Sequence, residues 1–160
     1  MVSKKTANTS PTIENRRARH DYEILDTIEC GIALLGSEVK SVRDGKVSLA
    51  EGYVRVTPSP PGLELYSVNI AEYAPAGPAA HNPTRTRRLL AHRREILKLA
   101  RQVDQKGVTL VPLRMYFAKG YAKVLVGLAR GKSTHDKRLS IAQRETRREI
   151  ERAMTRKVVR

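Results

Sequence analysis

Val108-Thr109-Leu110-Val111-Pro112-Leu113-Arg114-Met115-Tyr116-Phe117-Ala118-Lys119-Gly120-Tyr121-Ala122-Lys123-Val124-Leu125-Val126-Gly127-Leu128 reads as two strands joined by a tight turn. Val111, Leu113, Met115 and Phe117 recur at every second position of the first half, and Ala122, Val124, Val126 and Leu128 do so in the second. A period of two puts each set on one face of a pleated strand. Ala118-Lys119-Gly120 between them is a short, glycine-containing hairpin loop. The rest of the chain must cover the apolar face of this pair.

Upstream, Asn82-Pro83 has the form of a helix start, an N-cap followed by proline, and Gly107 that of a stop. The helix predicted between them carries Leu89, Ile96, Ala100 and Val103 as an apolar stripe, with Arg85, Arg88, Arg94, Lys98 and Arg101 largely off it. Residues 53–57 and 63–70 read as strands across the breaker-rich turn Pro58-Ser59-Pro60-Pro61-Gly62. The alternation of the second shifts midway, which predicts a bulge. A Pro/Ala/Gly-rich connection occupies residues 74–83. Ser37 is placed to cap a short helix with Val39 and Val42 inward, Lys40 and Arg43 on another face, and Gly45 at its end. Tyr22, Ile24 and Ile28 mark the first strand, and residues 32–35 a further apolar run.

Six short strands, one long helix and no internal repeat predict a mainly β domain: an OB-like closed antiparallel β-barrel with flanking helices. Such barrels commonly carry oligonucleotide-binding surfaces, though that step is an analogy of fold. The barrel is expected over residues 15–130, after a flexible N-terminal arm at residues 1–14 and before a C-terminal tail at residues 131–160.

Charge indicates the partner. The formal net charge is +15 and the isoelectric point near 10.4. From Gly131 to Arg160 there are ten Lys/Arg, four Asp/Glu and no aromatic residue, 10 − 4 = +6. Such a tail has too few large apolar residues to form a core, so it is expected to be disordered when free and to order against a polyanion. No run approaches the ~20 apolar residues of a membrane span. Lysines at the start lack the apolar run of a secretory signal, and one cysteine, Cys30, forms no internal disulfide. A cytoplasmic protein is the simplest reading.

Catalytic chemistry has no obvious carrier. His20, His81, His92 and His135 lack metal-ligand spacing, so no metal site or cofactor is expected. Gly127-Leu128-Ala129-Arg130-Gly131-Lys132-Ser133 has the wrong glycine spacing for a phosphate-binding loop. Asp21, Glu23, Asp26 and Glu29 would alternate faces along a strand, which suits solvated residues better than a metal cluster. The basic segments say more. Asn15-Arg16-Arg17-Ala18-Arg19-His20-Asp21-Tyr22 offers guanidinium forks for phosphate and flat rings for bases. Arg85, Arg87 and Arg88, at the predicted helix start, are candidates for an anion site.

These motifs, in this order, resemble the SsrA-binding protein family, also called small protein B. The resemblance is carried by residues 15–20, by Gly36-Ser37-Glu38-Val39-Lys40-Ser41, by Asn82-Pro83-Thr84-Arg85-Thr86-Arg87-Arg88-Leu89-Leu90, by Gly127-Leu128-Ala129-Arg130-Gly131-Lys132 and by His135-Asp136-Lys137-Arg138. It implies an OB-like barrel that binds transfer-messenger RNA and brings it to stalled 70S ribosomes for trans-translation, with elongation factor Tu met through the RNA complex. It implies a monomeric adaptor that is not an enzyme.

On that resemblance His20, Glu29 and Leu90 face the tRNA-like domain, with Lys40, Arg43 and the segment from Arg85 to His92 beside them. Gly131, Lys132, His135, Asp136, Lys137 and Arg138 match the segment that sits in the 16S rRNA decoding centre. Ser133 and Thr134 depart from the more basic or bulky residues usual there, and Leu139-Ser140 from a common acidic-polar pair. The alternative from another class is a basic ribosomal structural protein or general RNA chaperone. A small nuclease comes third, for want of paired metal-binding carboxylates.

Overall fold

The hairpin forms where the sequence places it, and the other strands pair around it. A computed structural model describes residues 10–158. Its strands are β1 (Ile13–Glu14), β2 (Tyr22–Ile32), β3 (Val47–Ser48), β4 (Tyr53–Pro58), β5 (Pro61–Tyr66), β6 (Asn69–Ile70), β7 (Arg87–Leu90), β8 (Val108–Ala118) and β9 (Tyr121–Gly131). Its helices are α1 (Arg16–Asp21), α2 (Gly36–Arg43), α3 (Arg93–Val103) and α4 (Thr134–Val158). Seven strands form one antiparallel sheet in the order β1-β8-β4-β5-β7-β2-β9, and β9 pairs back onto β8. β3 and β6 form a separate pair. In the main core Cys30, Leu63, Leu65, Leu89, Leu110, Met115, Val124 and Val126 of the large sheet are buried with Ile96 and Leu99 of α3.

β8 departs from its predicted face. The β8–β9 register shifts between Pro112 and Arg114. Beyond this bulge Met115 points into the main core, whereas Val111 and Leu113 join Ala18 and Ala129 in a second cluster under α1. An extra residue in a strand reverses which side chains face inward. Gly127 makes room for this arrangement, because a Cβ there would lie 2.8 Å from a Leu113 methyl.

The long helix predicted from Asn82 to Gly107 is also corrected. Asn82 starts a turn, its Oδ1 accepting from the Thr84 amide at 3.0 Å. The chain then runs as β7, with Arg87 and Leu89 inward and Arg88 and Leu90 outward, and only Arg93–Val103 is helical. Two further details differ. The predicted bulge is a break between β5 and β6 at Ser67, whose φ is 54°. In α2 the cap is Leu35, whose amide donates to Glu38 Oε2 at 2.8 Å, and Ser37 instead bonds His81.

Regular structure reaches the described part of both extensions, residues 1–9 and 159–160 lying outside the described residues. At the N-terminal end Ile13 pairs with Met115 and Glu14 with Arg114, tying that part of the arm to β8. The tail, expected to lack structure when free, is the continuous helix α4. Ser133 begins it: its hydroxyl accepts from the Asp136 amide at 3.2 Å while the Asp136 carboxylate accepts from Ser133. This reciprocal cap satisfies amides that a helix start leaves open. An i,i+4 pair, Arg147–Glu151 at 3.3 Å, supports the third quarter.

Candidate nucleic-acid interface

Leu90 decides where the first surface lies. On β7 its neighbour across the ladder in β2 is Gly31, which has no side chain to cover it. Leu90 is therefore 54% exposed, while Leu89, one residue back, is buried. Beside it Glu29 projects from β2. Its carboxylate accepts from Lys123 Nζ through Oε1 and from the Tyr116 hydroxyl through Oε2. Lys123 is opposite Gly31 on β9 and Tyr116 is opposite Lys123 on β8, so Glu29 reaches across two strands. The bonds from Lys123 and then Tyr116 hold its pKa below the ordinary carboxylate value. Burial, and then the bond to Glu29, raise that of Tyr116.

One open depression joins Glu29, Leu90, Lys123 and His92. His92 stands at the N-cap of α3, its amide donating to Glu95 Oε2 at 3.0 Å. A second depression on the other side of Leu90 carries Arg88 and Arg93. The surface thus offers an apolar side chain, a fixed carboxylate and several cations, a set able to meet ribose, base edges and phosphates. Lys123, Tyr116 and Arg93 went unread in the sequence. A lysine in a strand looks like a solvated residue until the ladder sets it beside Gly31.

Other predicted contacts are placed elsewhere. Arg87 is fully buried. It donates to Glu38 Oε1 at 2.8 Å and to the carbonyls of Val68, Pro83 and Arg85. Arg85 forks onto the same carboxylate, with Nε 2.9 Å from Oε1 and Nη2 2.5 Å from Oε2. Glu38 is itself wholly buried, which alone would raise its pKa. Bonds from Arg85, the Leu35 amide and Arg87 outweigh this and hold it low. Asn15 is buried as well: Oδ1 caps α1 at the Ala18 amide, and Nδ2 donates to Leu49 and Pro112 carbonyls at 2.8 and 2.9 Å. Arg87 and Asn15 thus serve as ties within the fold, and Arg85 bonds mainly to Glu38.

His20 is not at the Glu29–Leu90 depression. It lies in α1, before β2, while Glu29 is seven residues into that strand; at 3.3 Å per residue the separation along it is about 23 Å. Arg16, Arg17 and Arg19 share that distant end, where Arg17 pairs with Glu51 and His20 Nδ1 lies 3.0 Å from Asp21. The tail is rooted there too. Tyr22 pairs with Gly131, the Lys132 amide donates to Asp21 at 3.0 Å, and Lys132 Nζ donates to the Arg19 carbonyl at 3.3 Å. Lys40 and Arg43 are exposed on α2, their cations over the rings of Tyr73 and Phe117, and line neither depression. Asp136 caps α4 and Arg138 is exposed. The side chains of His135 and Lys137 lie outside the described residues.

Among the described residues no group of three His, Cys, Asp or Glu is placed to hold a metal, and no helix is long and apolar enough to cross a membrane. Cys30 is buried, and that burial, with Glu95 and Glu29 nearby, raises its thiol pKa to about 11.

The SmpB protein family model matches residues 12–156. The chain belongs to the SmpB family. It is 56% identical over 142 residues to the SsrA-binding protein of Roseiflexus sp. (strain RS-1), covering 88% of this chain and 89% of that protein. The SsrA-binding protein of Gloeobacter violaceus (strain ATCC 29082 / PCC 7421) is 49% identical over 156 residues, covering 98% of this chain and all of the relative. A chain solved under the description "tmRNA-SmpB: a journey to the center of the bacterial ribosome" superposes with a TM-score of 0.66 at 53% identity, covering 78% of this chain and 86% of that one.

Proposed function

We propose that the chain is an RNA-binding ribosome-rescue factor. It binds the tRNA-like domain of transfer-messenger RNA and delivers it to stalled 70S ribosomes for trans-translation. The observation that carries this reading is family membership over residues 12–156, among relatives named for binding SsrA. The depression around Leu90 supports it, since an exposed leucine beside a fixed carboxylate and cations is a poor surface to leave in water and a good one for RNA.

In this reading the large sheet is an OB-like barrel, closed where β9 returns to β8, and it forms the RNA-binding domain over residues 15–130. Residues 131–160 enter the empty decoding centre and message channel, Gly131, Lys132, Asp136 and Arg138 together with His135 and Lys137 contacting 16S rRNA. The free tail holds its helix weakly and becomes fixed on docking. The protein works as a monomer in the cytoplasm without cofactor, meets elongation factor Tu through the RNA and performs no chemical step itself.

Selective binding tests the proposal. Protein recovered from lysate should carry transfer-messenger RNA, identified by sequencing. It should prefer that RNA to bulk tRNA at equal salt, and log affinity should fall with log salt by about 0.7–0.9 per phosphate neutralised. Equal binding of both RNAs would favour a general RNA chaperone instead.

A further inference from the structure

We infer that Tyr116 is a positioning residue of the RNA surface, its hydroxyl fixing the Glu29 carboxylate so that the remaining lone pairs of Glu29 accept a hydrogen bond from an RNA donor, a ribose 2′-hydroxyl or a base N–H. This rests on the RNA-binding reading above and deepens it.

The geometry carries the argument. Glu29 faces Leu125 across the β2–β9 ladder, Lys123 is its diagonal neighbour on β9, and Tyr116 stands opposite Lys123 on β8. Only a carboxylate stretched over β9 meets both donors. A glutamate left to itself would sample several rotamers, and ordering it on binding would weaken the complex. Tyr116 and Lys123 remove that freedom before RNA arrives.

Donor counting leaves the group unfinished. A carboxylate has two oxygens and about four acceptor sites. Tyr116 occupies one on Oε2 and Lys123 one on Oε1. The side chain remains 44% exposed and opens into the depression shared with Leu90 and His92. The Lys123 ammonium offsets a negative charge that would otherwise repel phosphate. A neutral hydroxyl as second donor leaves the carboxylate a full acceptor, suited to reading a donor rather than to gripping the backbone. Charged and titratable groups facing the cluster are Lys123 on β9, His92 and Glu95 at the start of α3, and Arg114, whose guanidinium lies 5.9 Å from the Tyr116 ring.

The test uses the full chain and a transcript of the tRNA-like domain of transfer-messenger RNA. Tyr116→Phe keeps the ring and removes the hydroxyl. Affinity should fall about threefold to tenfold, with the salt slope unchanged because no phosphate contact is lost and the melting temperature lowered only slightly, since the lost bond is to a half-exposed carboxylate. Glu29→Gln should lose at least as much, and the double variant no more than Glu29→Gln alone, since both act through one carboxylate. NMR should show the Glu29 pKa rising in Tyr116→Phe. Single 2′-deoxyriboses and inosine-for-guanosine replacements identify the donor: the substitution whose penalty vanishes in Glu29→Gln marks it. Wild-type affinity in Tyr116→Phe, or additive losses in the double variant, would overturn the inference. If the wild-type chain does not prefer this RNA to bulk tRNA, the proposed function fails first, and the two failures are separable.

Discussion

Glu38 and Arg87 are buried against each other with Oε1 2.8 Å from Nε, and neither side chain reaches solvent. The pair ties the start of α2 to β7, and Arg87 continues to three carbonyls that would otherwise lack this donor. Without Arg87, Glu38 keeps Arg85 and the Leu35 amide, but it loses one charged partner in the interior and three carbonyls lose a donor. Arg87→Ala should therefore lower unfolding free energy by about 3–5 kcal/mol in urea denaturation. A loss below about 1 kcal/mol, within the range of surface substitutions, would show that the pair contributes little.

The same pair sets a pH dependence. The folded state holds the Glu38 pKa below its ordinary 4.5. A depressed carboxylate adds stability that is complete above the unfolded pKa and is lost as pH falls through the folded one. Urea midpoints should hold steady from pH 7 to about 5 and then drop below about 4.5. Glu38→Gln should start lower at neutral pH and decline less steeply. An unchanged acid limb in that variant would place the acid sensitivity elsewhere.

Arg87 also explains why part of the fold was unreadable. Four residues of alternation reveal a strand only if the inward positions are apolar, and here one of the two is an arginine neutralised by Glu38, 49 residues away. With Arg87 masked, Asn82-Pro83 looked like a helix start and Leu89 and Leu90 like neighbours around a helix. β9 was legible because Val124, Val126 and Leu128 face the core without interruption. β8 was half legible, since the bulge at Leu113 depends on packing against Gly127 and Ala18. For the site, the motif order gave Glu29 and Leu90. Lys123 and Tyr116 needed the ladder that sets three strands side by side.

Asn15 offers a contrast between stability and binding. It caps α1 and holds two carbonyls from different parts of the chain. Asn15→Ala should cost about 1–3 kcal/mol by leaving buried groups unpaired. At temperatures where the variant stays folded, its RNA affinity should match wild type. Tight folding with weakened binding would return Asn15 to the RNA surface.

Leu90 should behave in the opposite way. At 54% exposure its side chain contributes little to the core, so Leu90→Ala should change stability by well under the 2–5 kcal/mol typical of a buried leucine. On the proposed function Leu90 meets RNA, so affinity for the tRNA-like domain should fall severalfold. Calorimetric melting together with filter binding separates the two outcomes. A large drop in melting temperature with affinity intact would mean that Leu90 acts through packing.

The tail gives the most consequential test. α4 has 25 residues, about 37 Å of helix at 1.5 Å per residue, and its described side chains are exposed, including Leu139, Ile150 and Met154. Exposed pairs such as Arg147–Glu151 add only about 0.3–0.5 kcal/mol each, too little to fix a solitary helix in water. The helix should therefore be marginal in the free protein and complete when RNA surrounds it. Circular dichroism of the full chain minus that of a chain ending at Gly131 should show well under 25 residues of helix at 37 °C. Because Glu29, Leu90 and Lys123 lie toward the opposite end of β2 from the tail root, the shortened chain should keep its affinity for transfer-messenger RNA. It should nevertheless fail to support tagging on stalled ribosomes, since nothing remains to fill the message channel. Normal tagging by the shortened chain would make the tail dispensable and remove it from the mechanism.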